Sequence, residues 1–379
     1  MKRRSTRPRR LAVLALLGGA AVVLGACSGP KNGQNSFHPS GPYAHKIDNL
    51  FRPIAFVACG VGILVFALLL VAVFKFRERP GHPRSVKQVH GNTPLEITWT
   101  IIPAVILAVI AVPTIATIFD VARAPAAADT ISVNVVGKQW WWQFQYPKEN
   151  VVTANELAIP VDTPVRLSLR ACDPTLGTGY TGCSVIHSFW VPQLAGKMDV
   201  VPGRTNHLNI QANKIGTYLG QCAQYCGLAH ADMRMRVVVM SKADYQSWVR
   251  DQQQGPRQAF TGPDNQPASG APTLMASTYH CTNCHTVDDS SKASFGPNLT
   301  HLGSRSVFAS GSYALTRDNL VTWVRNAPSM LPMQSQKCLQ PPPAACVGMP
   351  SFVNHLPKGQ QAMTQQDAET IADYLLGQK

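Results

Sequence analysis

Cys222-Ala-Gln-Tyr-Cys226-Gly-Leu-Ala-His230-Ala-Asp-Met233 places two thiols, an imidazole and a thioether within twelve residues. These are soft or borderline ligands of the kind that suit copper. In an oxidising compartment Cys222 and Cys226 can instead pair as a disulfide, but that reading leaves His230 and Met233 unexplained. Zinc is the other metal such a set admits, although a thioether is a poor zinc ligand.

The stretch around this motif, Thr130 to Met240, carries the pattern of short strands. Ile131–Val136, Val165–Leu169, His207–Ile210 and Met235–Met240 are β-branched or alternating, and Gly, Pro and Asn separate them. The pattern predicts an all-β sandwich or barrel of about 110 residues.

Upstream the composition changes. Ile54 to Phe74 is an uninterrupted apolar run, and Ile97 to Phe119 is a second, broken only by Thr, Pro103 and Pro113. At 1.5 Å per residue the first spans about 31 Å, which matches a bilayer core of about 30 Å. Prolines are tolerated in such helices where neighbouring groups re-satisfy the freed carbonyls. The net charge of +14 is concentrated around these runs. Six cations lie in the first ten residues. Five more (Lys75, Arg77, Arg79, Arg84, Lys87) against one acid (Glu78) lie in the link between the runs. Ten of the fourteen net charges are therefore targeting and topology charge, and no basic groove for nucleic acid is implied. The basic link places the loop in the cytoplasm and everything after Ala122 outside. The first 26 residues have the basic start, apolar Leu11 to Leu24 and small-residue ending of a bacterial signal peptide. Cys27 follows in the position of a lipidated lipoprotein cysteine.

Downstream, residues 250 to 273 are rich in Gln, Gly, Pro, Ser and Ala, as a linker is. Amphipathic helical patterns follow at Arg317–Asn326 and Gln365–Leu376. The second is capped by Thr364 with Asp367 and stops at Gly377.

With these residues in view, the chain resembles cytochrome c oxidase subunit II. The motif looks like that family's CuA loop, and Ile186-His187-Ser188-Phe189-Trp190-Val191-Pro192 looks like its upstream ligand strand. The resemblance implies that Cys222 and Cys226 bridge two coppers and that His187 and His230 cap one each. Met233 and the backbone carbonyl of Gln224 are then the weak ligands. Gly137-Lys138-Gln139-Trp140-Trp141-Trp142 resembles the family's aromatic stretch, in which the residue matching Trp140 relays electrons. Asn92-Thr-Pro-Leu-Glu96 resembles the entry to the second membrane helix, where the residue matching Glu96 lies near a proton-channel mouth. A carboxylate at a helix N-terminus is also favoured by the macrodipole alone. Two positions depart from the pattern. Gln224 replaces a Glu that binds magnesium shared with subunit I, which puts that ion in doubt. Ser184 replaces an Asp of the docking surface for soluble cytochrome c.

Cys281-Thr-Asn-Cys284-His285 is a C-x-x-C-H haem-attachment motif. With Phe295-Gly-Pro297 and Gly348-Met349-Pro350 it resembles a small class I cytochrome c. Cys281 and Cys284 then hold haem c covalently, His285 is the proximal ligand oriented by the Pro297 carbonyl, and Met349 is the distal ligand. Met333 and Met330 are the other candidates. A thioredoxin-like C-x-x-C would need a βαβ setting, which this segment lacks. Of the ten cysteines, Cys172 with Cys183 and Cys338 with Cys346 remain as two nearby extracytoplasmic pairs, expected as disulfides.

The expected architecture is multi-domain: a two-helix transmembrane hairpin, a cupredoxin-like all-β Greek-key barrel and a C-terminal all-α cytochrome c domain. The expected divisions are a signal peptide (1–26), an extracytoplasmic segment (27–50), membrane helices (51–76 and 96–121) and the cytoplasmic loop between them (77–95). The CuA domain (128–243), a linker (244–272) and the cytochrome domain (273–379) complete the chain. The resemblance implies a bacterial inner-membrane, multi-pass subunit. Its partners would be oxidase subunits I and III, and its electron donor cytochrome c or a quinol–cytochrome c reductase. Rival readings are the CuA subunit of a nitric oxide reductase and a membrane-anchored copper carrier. A quinol oxidase subunit would lack the copper ligands.

Overall fold

The computed structural model describes residues 33–77, 81, 90–126, 128–171, 185–255, 270–287, 295–333, 347–354, 356 and 360–379. The signal segment, Cys27, most of the 77–95 loop, Ser184, residues 256–269 of the linker and both expected disulfide pairs lie outside the described residues.

Helix α1 (Pro42–Lys75) and helix α2 (Thr93–Ala122) are 34 and 30 residues long, about 51 and 45 Å. Both exceed a bilayer core, and their large apolar side chains, such as Phe56, Phe66, Leu107 and Phe119, are exposed. Helix α1 begins nine residues before the expected start at 51, because its polar first turns pack on the β-domain. Ala44 and Asp48 are buried there, Tyr43 rests on the β-core, and Ser40 exchanges backbone hydrogen bonds with Gln193 and Asn213. Lys46 pairs with Asp120 of α2 at 2.6 Å. At the far end of α2, Asn209 Nδ2 donates to the carbonyls of Val121 and Arg123 at 2.8 Å each. Arg166 donates to that of Ala122 at 3.3 Å. These donors satisfy carbonyls that a helix terminus leaves orphaned.

Ten strands follow: β1 Ile131–Lys138, β2 Trp141–Tyr146, β3 Val151–Ala154, β4 Glu156–Pro160, β5 Val165–Arg170, β6 His187–Trp190, β7 Met198–Val200, β8 Asn206–Ile210, β9 Gly216–Cys222 and β10 Arg234–Met240. They pair as two five-stranded sheets, β3-β2-β1-β5-β8 and β4-β10-β9-β6-β7, so the expected barrel takes the form of a sandwich. In each sheet one pair is parallel, β1 with β5 and β10 with β4. Strand β5 alternates buried and half-buried residues along its whole length, as a strand with one face on a core must. Trp142 and Phe144 pack edge-on against Phe189, centroids 5.4 and 6.4 Å apart, and tie the two sheets together.

The expected linker does not begin at residue 244. Lys242–Gln253 is helix α3, capped by Ser241, whose hydroxyl accepts from Asp244 N at 3.1 Å. Its Tyr245 and Val249 join the β-core, so this helix belongs to the β-domain.

The C-terminal unit has its own core, built on Met275, Tyr279, Leu302, Phe308, Leu320, Val324, Phe352 and Ile371. Its helices are α4 (Arg317–Met330) and α5 (Gln365–Gly377). Helix α4 breaks at Asn326 (φ −154°, ψ 68°), the expected end, and then resumes through Pro328. Thr364 caps α5 by accepting from Asp367 N. The unit is not purely helical. Val307–Phe308 (β11) and Tyr313–Ala314 (β12) form a small hairpin. Its turn carries Ala309, Ser310 and Gly311 at φ of 48°, 59° and 74°, a left-handed run that pattern-reading alone does not reveal.

Candidate metal centre and adjoining cavity

Cys222 ends β9, His187 opens β6 and Met233 immediately precedes β10. Strands β6 and β9 pair at Phe189 and Cys222. Cys222 N donates to Met233 O at 2.8 Å, and Ala223 N to Ser188 O at 2.9 Å. The loop is therefore closed by backbone bonds where it leaves the sheet. Inside it, His187 Nδ1 lies 3.9 Å from Cys222 Sγ and Cys226 Sγ lies 3.9 Å from Cys222 Sγ. His230 Nδ1 lies 3.6 Å and Met233 Sδ 3.7 Å from Cys226 Sγ. The Gln224 carbonyl oxygen is 3.2 Å from Cys222 Sγ. All six expected donors thus converge.

A disulfide needs its sulfurs about 2.05 Å apart, so Cys222 and Cys226 are not bonded. The hydrogen bond between them holds the Cys222 thiol far below its ordinary value, with His187 adding to the effect, and pushes Cys226 up. A thiolate is the metal-binding form. Met233 and His187 are fully buried, while Tyr225 and Leu228 on the same loop are exposed.

Trp140 lies behind the loop, 5% exposed. Its indole Nε1 donates to Cys226 O at 3.1 Å, and Gln139 Nε2 donates to the same oxygen at 2.6 Å. Gln139 went unread in the sequence, although it lies inside the quoted aromatic motif. Two glycines permit this packing. A Cβ on Gly137 would come within 2.9 Å of the His187 ring, and one on Gly227 (φ +119°) within 2.9 Å of Gln139 Nε2. Trp141 and Trp142 are buried.

Glu96 belongs to neither this cluster nor the cavity described next. Its Oε1 accepts from Asn92 N at 3.0 Å while Asn92 Oδ1 accepts from Leu95 N at 3.2 Å, a reciprocal helix cap.

Beyond Trp140 is a cavity of about 630 Å³ between the β-domain and the C-terminal unit, within the range of cofactor sites. Cys281, Cys284, His285, Pro297, Met333 and Met349 line it, with Gln139, Trp140 and Trp141 on its β-domain side. His285 Nδ1 bonds to Pro297 O at 2.8 Å, which assigns any ligating role to Nε2. Gly296 lies flat on this ring, since a Cβ there would reach within 2.5 Å of it. Burial keeps the imidazole below its ordinary value and hence neutral. Burial also pushes the Cys281 thiol up to about 12 and raises Cys284. Both are protonated at pH 7, unlike the low-pKa thiols of redox C-x-x-C motifs. Met349 N donates to Met333 Sδ at 3.2 Å, so both thioethers are at hand. Met330 packs in the core and does not line the cavity.

The profile described as "Cytochrome C oxidase subunit II, periplasmic domain" matches residues 131–241, and that of the same subunit's transmembrane domain matches residues 30–117. Cytochrome c oxidase subunit 2 of Alkalihalophilus pseudofirmus is 37% identical over 314 residues, which are 82% of this chain and 86% of that one. The chain belongs to the cytochrome c oxidase subunit II family. Quinol oxidase subunit 2 of Bacillus subtilis is 34% identical over 249 residues, covering 64% of this chain and 72% of its own. Among solved structures, the periplasmic domain of subunit II of cytochrome oxidase from Bradyrhizobium japonicum is 28% identical, with a TM-score of 0.30. It covers 35% of this chain and 97% of that one. As a subunit II, the chain is a component of a haem–copper oxidase and a membrane protein with an extracytoplasmic domain. The family implies a CuA copper centre, and the buried His187, Cys222 and Cys226 group is of metal-binding form.

Proposed function

We propose that this chain is the electron-entry subunit of a cytochrome c oxidase, carrying CuA in its β-domain and covalent haem c in its C-terminal unit. The observation that carries this reading is the single line of contacts from one site to the other. Trp140 lines the same cavity as Cys281, Cys284 and His285, and it donates to the backbone of the copper-loop residue Cys226.

The donor set suits each group. Cys222 Sγ, Cys226 Sγ, His187 Nδ1, His230 Nδ1, Met233 Sδ and Gln224 O would hold the copper centre. When bound, it would supply one-electron transfer. Cys281 and Cys284 would hold haem c covalently, with His285 Nε2 and Met349 Sδ as its iron ligands. A thioether ligand favours the ferrous form and raises the potential. The protein's own part is positional. The β-ladders fix the copper donors, Pro297 orients His285, and Trp140 bridges the two sites.

Electrons would pass from an external donor, cytochrome c or a quinol–cytochrome c reductase, through the C-terminal unit and the β-domain to subunit I, with subunit III in the same complex. Helices α1 and α2 would both span the inner membrane, with Glu96 at the cytoplasmic end near proton entry. The neutral Gln224 offers magnesium only an amide, and no magnesium enters this assignment. The copper ligands and the fused second site separate this reading from a quinol oxidase subunit and from a copper carrier.

Copper analysis and electron paramagnetic resonance of Cys222→Ser and Cys226→Ser test the assignment. Each variant is expected to lose the mixed-valence copper signal and turnover while keeping the haem c bands. Gln224→Ala, which leaves the carbonyl in place, is expected to keep the signal. An unchanged copper signal in either cysteine variant removes the assignment.

A further inference from the structure

The two sites are joined by more than the cavity. The β11–β12 turn reaches across and grips the copper loop from both sides. Ser310 Oγ donates to the backbone carbonyl of Trp140. On the other side, Arg234 N donates to Ser310 O at 3.0 Å, and Ser312 Oγ donates to Asp232 O at 3.1 Å. Asp232 and Arg234 flank Met233 in the chain. Just before the hairpin, Ser306 donates to Glu156 Oε1 through N at 3.2 Å and Oγ at 2.8 Å. Arg236 of β10 donates to Ser306 Oγ at 3.2 Å.

The backbone of the turn is costly for what it carries. Ala309 and Ser310 are both left-handed, a conformation in which L-residues other than glycine are strained. Strain of this kind persists where surrounding contacts over-determine it. Glycine would relieve it at Ser310 but would lose the hydroxyl that holds Trp140 O. Ser310 is 7% exposed and Trp140 5%, and both line the cavity.

We propose that the Ala309–Ser312 turn is a latch that docks the C-terminal unit rigidly on the copper loop and closes Trp140 to external donors. Ser310 is then a positioning residue for electron transfer, acting through Trp140. The proposal rests on the two-cofactor reading above. It deepens that reading by making the C-terminal unit the obligatory entry point, in place of a donor swinging on a linker. Across the latch one electron leaves the cavity's cofactor and one arrives at the copper site. No bond forms and no proton moves.

Hydroxyl-radical footprinting with mass spectrometry on the detergent-solubilised full chain reads the latch without any cofactor signal. Labelling of Trp140 follows the undocked population when opening and closing are fast. Ser310→Ala keeps the strained left-handed backbone and removes only the hydroxyl. It is expected to raise Trp140 labelling by about three- to tenfold, the population change for loss of one neutral hydrogen bond. Trp142, which lies in the β-core, is expected to label as in the parent. Ser310→Phe, too large for the space, is expected to raise Trp140 labelling further. With reduced soluble cytochrome c in a stopped-flow instrument, the parent's haem is expected to be reduced before its copper, and Ser310→Ala to slow the second phase with both spectra unchanged.

Trp140 labelling that is equal in parent and both variants would overturn the latch, as would copper reduced first in the parent. A chain that lacks haem yet keeps Trp140 protected supports the latch and refutes the haem assignment instead.

Discussion

Gly227→Ala is a demanding test of how the copper loop is held. At φ +119° the backbone is in a region open to glycine and strained for alanine, at about 1–3 kcal/mol. The added methyl would also lie 2.9 Å from Gln139 Nε2 and 3.0 Å from Trp140 Cζ2, neither of which can yield without moving. Those two side chains donate to Cys226 O, and losing one or both of these bonds costs about 0.5–1.5 kcal/mol each. The combined cost is about 1.5–6 kcal/mol, enough to lower the β-domain transition by on the order of 10 °C. The control is Gly203→Ala. Gly203 is also left-handed (φ +74°), but nothing lies within 4 Å of a Cβ there. It should therefore cost only about 1–2 kcal/mol of backbone strain and leave copper untouched. Calorimetry and copper resonance of the full chain in detergent read both variants. If Gly227→Ala melts and binds copper like Gly203→Ala, the contacts of Gln139 and Trp140 with the loop do not hold it.

Met349→Ala in the full chain is expected to lose the weak long-wavelength sulfur-to-iron band and to lower the haem potential. If the band survives there and vanishes in Met333→Ala, the ligand is Met333. Asp367 has its carboxyl held below the ordinary value by hydrogen bonds from Tyr279 and Thr364. Its stabilising contribution is thus complete above the ordinary value of 3.8 and fades as pH falls through the lowered one. The melting difference between the parent and Asp367→Asn should accordingly shrink on acidification below pH 4. A difference that stays constant from pH 6 to pH 2 refutes the linkage. Peptide mapping without reduction is expected to find Cys172 joined to Cys183 and Cys338 to Cys346. Short-loop closures of this kind are worth about 2–3 kcal/mol each, and four free thiols would contradict the pairing.

The parts legible in the sequence are those where one physical signal dominates. Strands β5 and β10 alternate cleanly, with burial patterns to match, and both were readable to within a residue. Strand β2 (Trp-Trp-Gln-Phe-Gln-Tyr) alternates apolar residues with Gln from Trp142 to Tyr146, but it was read only as an aromatic motif and missed as a strand. Strands β6 and β7 are four and three residues long, too short for a period to register. The polar opening of α1 and the whole of α3 are helical because they pack on the β-domain, a tertiary cause that composition does not announce. The Ser241–Asp244 cap is the signal that could have found α3, and it went unread. The copper donors were legible because five of six fall within twelve residues. The partners that hold them were not. Gln139 and Trp140 reach Cys226 across 87 and 86 residues, and Ser310 reaches Trp140 across 170.

The two sites are built on different physical terms, and this bears on which needs its cofactor to take shape. Cys222 and Met233, where the copper loop leaves and rejoins the sheet, are bonded to each other, and Ala223 is bonded to Ser188 beside His187. Cys222, Met233 and His187 are therefore held by the ladder or by residues bonded to it. A site held this way cannot relax much when its charge changes, which is what one-electron transfer requires. The cavity is lined differently. Cys281 to His285 form a 3₁₀ turn, Phe295 to Leu299 are irregular, and Met349 is joined to α4 through the single bridge of Asn326 with Ser351. Turns carry few long-range hydrogen bonds, so an apolar cavity of this size draws its rigidity from whatever fills it. Covalent attachment at two cysteines places that filler permanently. The latch at Ser310 then joins the site that depends on its cofactor to the site that does not.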